Sequence, residues 1–255
     1  WDNLPKATLV IDTDYYFVWS EFMKGQLQKY YPYIREDQIM VTGTPQFENH
    51  FNADIKTDRE TFFKDYNLDV SRKYICYSGD DITTSPNDPQ YLSDTAQAVR
   101  SLNQKGYSLG IVFRRCPVDF SSRFDTVINE YKDVIVPINP LWKKIGEGWN
   151  TILPTPEDMV LLTNTIAHTE FVVNLGSSMV FDYVSYKKPC VYVNYDVCNT
   201  NRLGWNVEKI YNFIHFRSMP SNEAVVWFNS ADEIEAKIRQ LLEQTKDVAV
   251  AQKWF

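Results

Sequence analysis

One short stretch of the chain combines small, hydroxyl-bearing and acidic residues in an order that suits phosphate binding. Gly176, Ser177 and Ser178 follow the strand-like run FVVNL, and Asp182 comes four residues after Ser178. A glycine lets the backbone approach a ligand closely, while serine hydroxyls and the N–H groups at a helix start donate to phosphate oxygens. The stretch predicts a pyrophosphate site, with Asp182 one helical turn further on for ribose hydroxyls. The alternative is an ordinary serine N-cap with Asp182 on a solvated helix face.

Apolar runs alternate with amphipathic segments from about residue 73 onward. The predicted strands cover 74–80, 107–115, 133–139, 149–155, 170–176 and 189–196, with a later strand at 224–229. Strands that are apolar almost throughout lie in parallel sheets that helices cover on both faces. The pattern therefore predicts an α/β fold with a doubly wound, Rossmann-like parallel sheet.

The first 45 residues do not fit the same unit. A strand, a turn and a helix are predicted in TLVIDTDYYFVWSEFMKGQLQKYYP, and a second strand ends at the Gly-Thr-Pro of DQIMVTGTPQFE. Two strands make too small a layer to stand alone, so part of that sheet is missing or supplied elsewhere. We expect 1–45 to be the end of an amino-terminal α/β domain with its connector, and 46–255 to be one nucleotide-binding, Rossmann-like domain. Because the chain begins with Trp1 rather than Met, we also expect a piece of a longer protein.

Ligands of open parallel sheets bind at the carboxyl ends of the strands, near the point where the strand order reverses. The residues just past the predicted strands are Ser78, Gly79, Asp80, Asp81, Arg114, Arg115, Asn139, Pro140, Leu153, Pro154, Gly176, Ser177, Ser178, Asn194, Tyr195 and Asp196. Small residues, hydroxyls, arginines and carboxylates suit a nucleoside diphosphate better than an apolar ligand.

The charge and composition exclude several other classes. A net charge of −7 argues against a nucleic-acid binder, which needs a basic face. No run approaches the roughly 18 apolar residues of a membrane span, although peripheral membrane association stays open. Four cysteines without a CxxC pair predict buried, reduced thiols and a cytoplasmic location. These cysteines are Cys76, Cys116, Cys190 and Cys198.

The block FVVNLGSSMVFDYVSYKKPCVYVNYD resembles the donor-binding signature of GT-B glycosyltransferases and of the related CDP-glycerol glycerophosphotransferases. In that group a strand, a small-Ser-Ser turn, a helix with an acidic residue and a Lys-Pro before the next strand recur in this order. The segment FVWSEFMKGQLQKYYPYIREDQIMVTGTPQFE is similar to the end of their amino-terminal half. Two departures are present: Asn174-Leu175-Gly176 replaces the usual acidic-aromatic pair, and most of the acceptor-side half is absent.

The resemblance implies transfer of a sugar or polyol phosphate from a nucleotide-activated donor to a carbohydrate or polyol acceptor. It implies no essential metal and no cofactor beyond the donor itself. Ser78 and Gly79 match the loop that approaches the donor phosphates, and Gly176, Ser177 and Ser178 match the phosphate-binding turn. The resemblance also implies that Arg114, at the end of the second strand, neutralises the diphosphate; the alternative is an ion pair with Asp80 or Asp119.

The other implied roles are less specific. Asp182 matches the position that faces the ribose, and the loop 137–154, with Lys143, matches the place of the base. The catalytic base stays unassigned, with Glu21 and His50 as the nearest candidates. Trp205 is expected to border the cleft.

Two other functions compete with a transferase. A nucleotide-sugar epimerase on the same scaffold needs a compact set of carboxylates and a histidine, which the sequence does not assemble. A non-catalytic nucleotide-binding or interaction module would keep the fold without the chemistry.

Overall fold

The computed structural model describes residues 12–197, 204–244 and 246–255. The residues TLVI of the predicted first strand and Cys198 lie outside these ranges. Among the residues described, no helix is both long enough and apolar enough to cross a membrane.

The amino-terminal unit is a small parallel pair with one helix. It contains β1 (Tyr16–Val18), α1 (Glu21–Tyr30) and β2 (Ile39–Val41). Ser20 caps α1 by accepting the Met23 N–H at 3.1 Å. The apolar residues that pack between the strands and the helix form a core of their own: Val18, Met23, Leu27, Ile34 and Ile39.

The rest of the chain alternates strands with helices. Its strands are β3 (Lys73–Ser78), β4 (Leu109–Arg114), β5 (Ile135–Pro137), β6 (Lys143–Lys144), β7 (Ile152–Leu153), β8 (Val172–Asn174), β9 (Cys190–Val193) and β10 (Val226–Phe228). Its helices are α2 (Glu48–Phe51), α3 (Arg59–Asp65), α4 (Asp88–Gln104), α5 (Asp125–Glu130), α6 (Pro156–His168), α7 (Met179–Ser185), α8 (Val207–Tyr211), α9 (Ile234–Glu243) and α10 (Ala249–Trp254).

Six of these strands form one parallel sheet in the order β10-β9-β8-β3-β4-β5. The chain runs outward from β3 to β5, returns through α6 to β8 beside β3, and then runs outward the other way. The strand order therefore reverses between β3 and β8, which defines the switch point of the sheet. The predicted doubly wound α/β fold is confirmed.

The sheet is buried because its strands carry few polar side chains. All six positions of β4 are buried, and five of the six in β3 are. Gly110 in β4 leaves room for the Tyr74 ring, since a Cβ there would lie 2.3 Å from Tyr74 Cε1. Cys76 and Cys190 are free thiols within this core.

The predicted strand at 149–155 is wrong. A single 3₁₀ turn covers Trp149–Thr151, and the two residues of β7 pair antiparallel with β6 in a separate hairpin. The apolar residues of this segment belong to the loop between β5 and α6 and do not join the sheet.

Candidate functional site

The switch point lies between two glycine-containing turns. Ser78 ends β3 in a buried position, and the Gly79 N–H donates to Arg114 O at 2.8 Å. A Cβ on Gly79 would lie 3.1 Å from the Phe113 ring and 3.3 Å from Asp88 Oδ2, so the turn after β3 is tightly packed. Across the switch point, β8 runs into Gly176.

Gly176 is required at its position for two reasons. Its φ of +71° is in the left-handed region, and an added Cβ would lie 3.0 Å from Phe216 Cζ and 3.1 Å from Ile210 Cγ2. The chain can therefore turn sharply from β8 into α7 only with glycine here.

Two backbone N–H groups of the turn after Gly176 already donate to side chains of the same turn. The Ser177 N–H donates to Asn174 Oδ1 at 2.9 Å, and the Met179 N–H donates to Ser177 Oγ at 3.4 Å. Ser178 precedes α7 without a side-chain capping bond and is partly exposed. Within the described part of the chain, its backbone N–H has no hydrogen-bond partner. Ser178 thus supplies an amide and a hydroxyl for a ligand, whereas Asn174 and Ser177 mainly shape the turn.

Asp182 and His50 meet in the interior. His50 Nε2 lies 2.7 Å from Asp182 Oδ1, and Thr163 Oγ1 lies 3.4 Å from His50 Nδ1. Both members of the pair are nearly inaccessible, with exposed fractions of 2% for His50 and 4% for Asp182. Tyr186 also donates to the His50 carbonyl at 3.2 Å. The connector helix α2 is therefore tied to α7 through the two residues that the sequence had placed in separate roles.

Arg114 pairs with a carboxylate that the sequence analysis did not consider. Its Nη2 donates to both oxygens of Asp158, at 2.9 and 2.7 Å, and both side chains are buried. The expected alternative partners, Asp80 and Asp119, are thus replaced by Asp158 in α6. With its charge compensated in this way, Arg114 is less available to a diphosphate than its place at the end of β4 indicated.

Asp158 also holds the loop between β5 and α6. It accepts the Leu141 N–H at 2.8 Å and the Trp142 Nε1–H at 2.6 Å. A single buried carboxylate therefore anchors both the end of β4 and the loop in which the base-binding position was predicted. Lys143 follows Trp142 in the exposed strand β6.

Two carboxylates lie close together after β3. Asp88 is fully buried and accepts from Tyr77 Oη at 2.7 Å and from the Asp80 N–H at 2.6 Å. Burial raises the pKa of Asp88 to about 6. Burial and the nearby Asp88 charge together raise the pKa of Asp80 to about 7. Arg123 braces this turn by donating to the Ser85 and Asp80 carbonyls.

The Lys-Pro pair before β9 has a structural explanation. Lys188 Nζ donates to the carbonyls of Ile166 and Ala167, at 2.7 and 2.8 Å, and also to the Thr169 carbonyl. Burial lowers its pKa to about 8. Lys188 therefore caps the carboxyl end of α6, and the motif serves the packing of the sheet rather than a ligand.

The remaining predicted residues lie in different surroundings. Glu21 is exposed at the start of α1, in a groove that Lys29 and Arg217 also line. Trp205 is half-buried, and its Nε1–H donates to Thr84 O at 3.0 Å, which bridges the loops after β9 and β3. Lys209, which the sequence analysis overlooked, lines the cavity beside Trp205. Among the described residues, no group of three metal-ligating side chains could hold an ion.

No family profile and no curated protein sequence matches the chain, whereas solved structures match its backbone. The S. aureus MnaA-UDP co-structure aligns over 94% of this chain and 57% of its own, with 14% identity and a TM-score of 0.52. A putative UDP-N-acetylglucosamine 2-epimerase from Listeria monocytogenes aligns over 94% and 53%, with 10% identity and a TM-score of 0.55. A variant of the wall teichoic acid polymerase TagF soaked with CDPG aligns over 94% and 50%, with 14% identity and a TM-score of 0.52.

The fold is that of a GT-B carboxyl-terminal half. The chain spans about half the length of the three solved structures. At these identities the likeness concerns the backbone, so the activity of this chain depends on its own site.

Proposed function

We propose that this chain is the donor-binding part of a GT-B transferase that uses a nucleotide-activated sugar or polyol phosphate. The observation that carries the proposal is the placement of two turns on either side of the switch point. Ser78 and Gly79 lie on one side, and Gly176, Ser177 and Ser178 lie on the other. Open parallel sheets bind their ligands at such a point.

In the proposed reaction, an acceptor hydroxyl attacks the transferred group and the nucleotide leaves with its phosphate charge. The Ser178 amide and hydroxyl then stabilise that charge as it develops. The buried Asn174 fixes the turn through the Ser177 N–H, so the donors keep their orientation during the reaction. This stabilisation requires no metal, and the acceptor and the catalytic base would come from outside the residues assigned here.

Asp182 is buried and His50 holds its Oδ1, so the proposal leaves the ribose only Oδ2, and only when the side chain becomes accessible. The contact would therefore be one hydrogen bond rather than a bidentate one. The proposal makes the phosphates, and not the ribose, the main source of affinity.

Thermal unfolding with a panel of UDP, CDP and GDP tests the proposal. At least one nucleotide should raise the melting temperature, and the double variant Ser177→Ala, Ser178→Ala should remove that increase. Ser108→Ala is the matched control, because Ser108 is exposed at the amino end of β4, on the opposite edge of the sheet. If no nucleoside diphosphate stabilises the chain, a non-catalytic module becomes the better account.

An epimerase is the second candidate, because two of the matching structures, from Neisseria meningitidis and Methanocaldococcus jannaschii, are UDP-GlcNAc 2-epimerases with UDP-GlcNAc bound. Among the described residues, however, the paired carboxylates Asp80 and Asp88 have no histidine beside them, since His50 is held by Asp182. Incubation with UDP-N-acetylglucosamine alone separates the two functions: a change of sugar configuration without an acceptor would favour the epimerase.

A further inference from the structure

A cavity of about 460 Å³ lies between the loop after β3 and helix α8. Thr83 and Thr84 line one side, and Trp205, Lys209 and Phe213 line the other. We call it the Trp205 cavity, after the side chain that joins its two walls. None of the predicted phosphate-binding residues lines it.

The Trp205 cavity adjoins the switch point. Thr83 and Thr84 belong to the loop that leaves β3, on one side of that point. Ile210 also lines the cavity and lies against Gly176 on the other side, where an added Cβ would be 3.1 Å from Ile210 Cγ2. The cavity is therefore the immediate neighbour of the turn that is proposed to hold the diphosphate.

Hydrogen bonds hold both walls of the cavity. The Trp205 Nε1–H donates to Thr84 O at 3.0 Å, and Thr84 Oγ1 donates to Asp81 Oδ2 at 2.8 Å. On the opposite wall, the Val207 N–H donates to Asp196 Oδ1 at 2.9 Å and orients the start of α8. A preformed cavity of this kind loses little conformational freedom when a ligand binds.

Among the residues that the structure describes, Lys209 is the only charged one in the lining of the cavity. Its Nζ donates to the Gly204 carbonyl, and it forms no ion pair with a carboxylate of the described residues. Arg114 and Arg123, by contrast, are bound to Asp158 and Asp119. Lys209 thus keeps its charge available for an anionic ligand beside the switch point.

We propose that the Trp205 cavity receives the distal phosphate of the nucleotide together with the group esterified to it. Lys209 supplies the cation for that phosphate, and the ring of Trp205 packs against the carbon skeleton of the attached group. The inference rests on the proposed function, because it takes the diphosphate to lie at the turn after β8. It defines the ligand class as esters of nucleoside diphosphates, rather than nucleoside monophosphates.

Calorimetric titration of the chain with UMP, UDP and UDP-glucose, and with the cytidine series CMP, CDP and CDP-glycerol, tests the role of Lys209. Lys209→Met should weaken the diphosphate about tenfold and leave the monophosphate within about twofold. Lys132→Met is the matched control, since Lys132 is exposed near the amino end of β5 and should change neither. Equal weakening of the mono- and diphosphate, or no weakening, would overturn the inference.

A second variant tests the cavity without disturbing its walls. Phe213 is 50% exposed, so Phe213→Ala should leave the fold intact while reducing the additional affinity of UDP-glucose or CDP-glycerol over the free diphosphate. An unchanged difference between ester and diphosphate would overturn the assignment of the attached group.

The titrations also separate failure of this inference from failure of the proposed function. If the wild-type chain binds no diphosphate, both are overturned. If the Ser177→Ala, Ser178→Ala variant loses binding while Lys209→Met binds as the wild type does, the proposed function stands and only the cavity is wrongly assigned.

Discussion

The polar groups at the carboxyl edge of the sheet are used differently on the β4 side and on the β8 side. On the β4 side, the charge of Arg114 is compensated by Asp158, which also anchors Leu141 and Trp142. On the β8 side, Ser178 keeps an amide and a hydroxyl that no described residue uses. The difference shows that charged residues at strand ends can serve stability, while the small residues there remain available to a ligand.

The largest expected effect is a loss of stability on the β4 side of the sheet edge. Asp158→Ala leaves the buried Arg114 guanidinium without its partner, and should lower the free energy of unfolding by about 3–5 kcal/mol. Chemical denaturation measures the change. Replacing both residues by apolar ones, Arg114→Met with Asp158→Leu, should recover the part of the loss that comes from the unpaired guanidinium, but not the part that comes from the lost bonds to Leu141 and Trp142. A cost below about 1 kcal/mol for Asp158→Ala would show that the pair does not stabilise this side.

A smaller effect is expected from the backbone of the β8 side. Gly176→Ala forces an alanine into a left-handed conformation and pushes its Cβ against Phe216 and Ile210, so it should cost about 2 kcal/mol. It should also weaken nucleotide binding, because the turn must move to relieve the contacts. Denaturation and titration of the same variant measure the two effects. Wild-type binding by this variant would mean that the ligand does not use the turn.

The carboxylates between the two sides should make stability depend on pH. The folded-state pKa of Asp80 is raised to about 7 and that of Asp88 to about 6, so their protonated forms favour the folded chain. The stability that they contribute is fully present below about pH 4 and is lost as the pH rises through 6 to 7. Asp80→Asn should therefore raise the melting temperature more at pH 7.5 than at pH 5, by about 2 °C or more. An equal change at both pH values would show that Asp80 is ionised alike in the folded and unfolded chains.

The smallest effect on stability is expected at the serines. Ser177→Ala with Ser178→Ala removes one weak bond to the Met179 N–H and should change the free energy of unfolding by about 0.5 kcal/mol or less. Because the same change removes both hydroxyls while keeping the backbone amides, it should strongly weaken nucleotide binding, and it therefore separates stability from function on the β8 side. A loss of several kcal/mol would make the serines structural instead.

The strands of the sheet could be predicted from the sequence because each of them is marked by residues that are adjacent in the chain. Apolar runs such as those of β3, β4 and β9 mark buried strands by themselves, and the Gly-Ser-Ser turn marks the end of β8. The position of the switch point was not predicted, because it depends on the pairing of β8 with β3, which only the structure shows.

The side-chain partners could not be predicted in the same way. Arg114 and Asp158 are 44 residues apart, and His50 and Asp182 are 132 apart, so each pair is set by the packing of α6 or α7 rather than by spacing. The apolar residues of 149–155 suggested a strand of the main sheet, but Ile152 and Leu153 pair with β6 in a separate hairpin instead. Asn174 was read as a departure from a motif, whereas the structure shows its side chain holding the turn.

The most direct test of the central claim is to map backbone amide signals by NMR while CDP or UDP is added. Our account predicts that the largest shift occurs at the Ser178 amide, with smaller shifts at Gly79 and Lys209. The result that would contradict it is a largest shift in the groove of about 870 Å³ that α4, α5 and the loops after β9 and β10 line, with Ser178 unchanged.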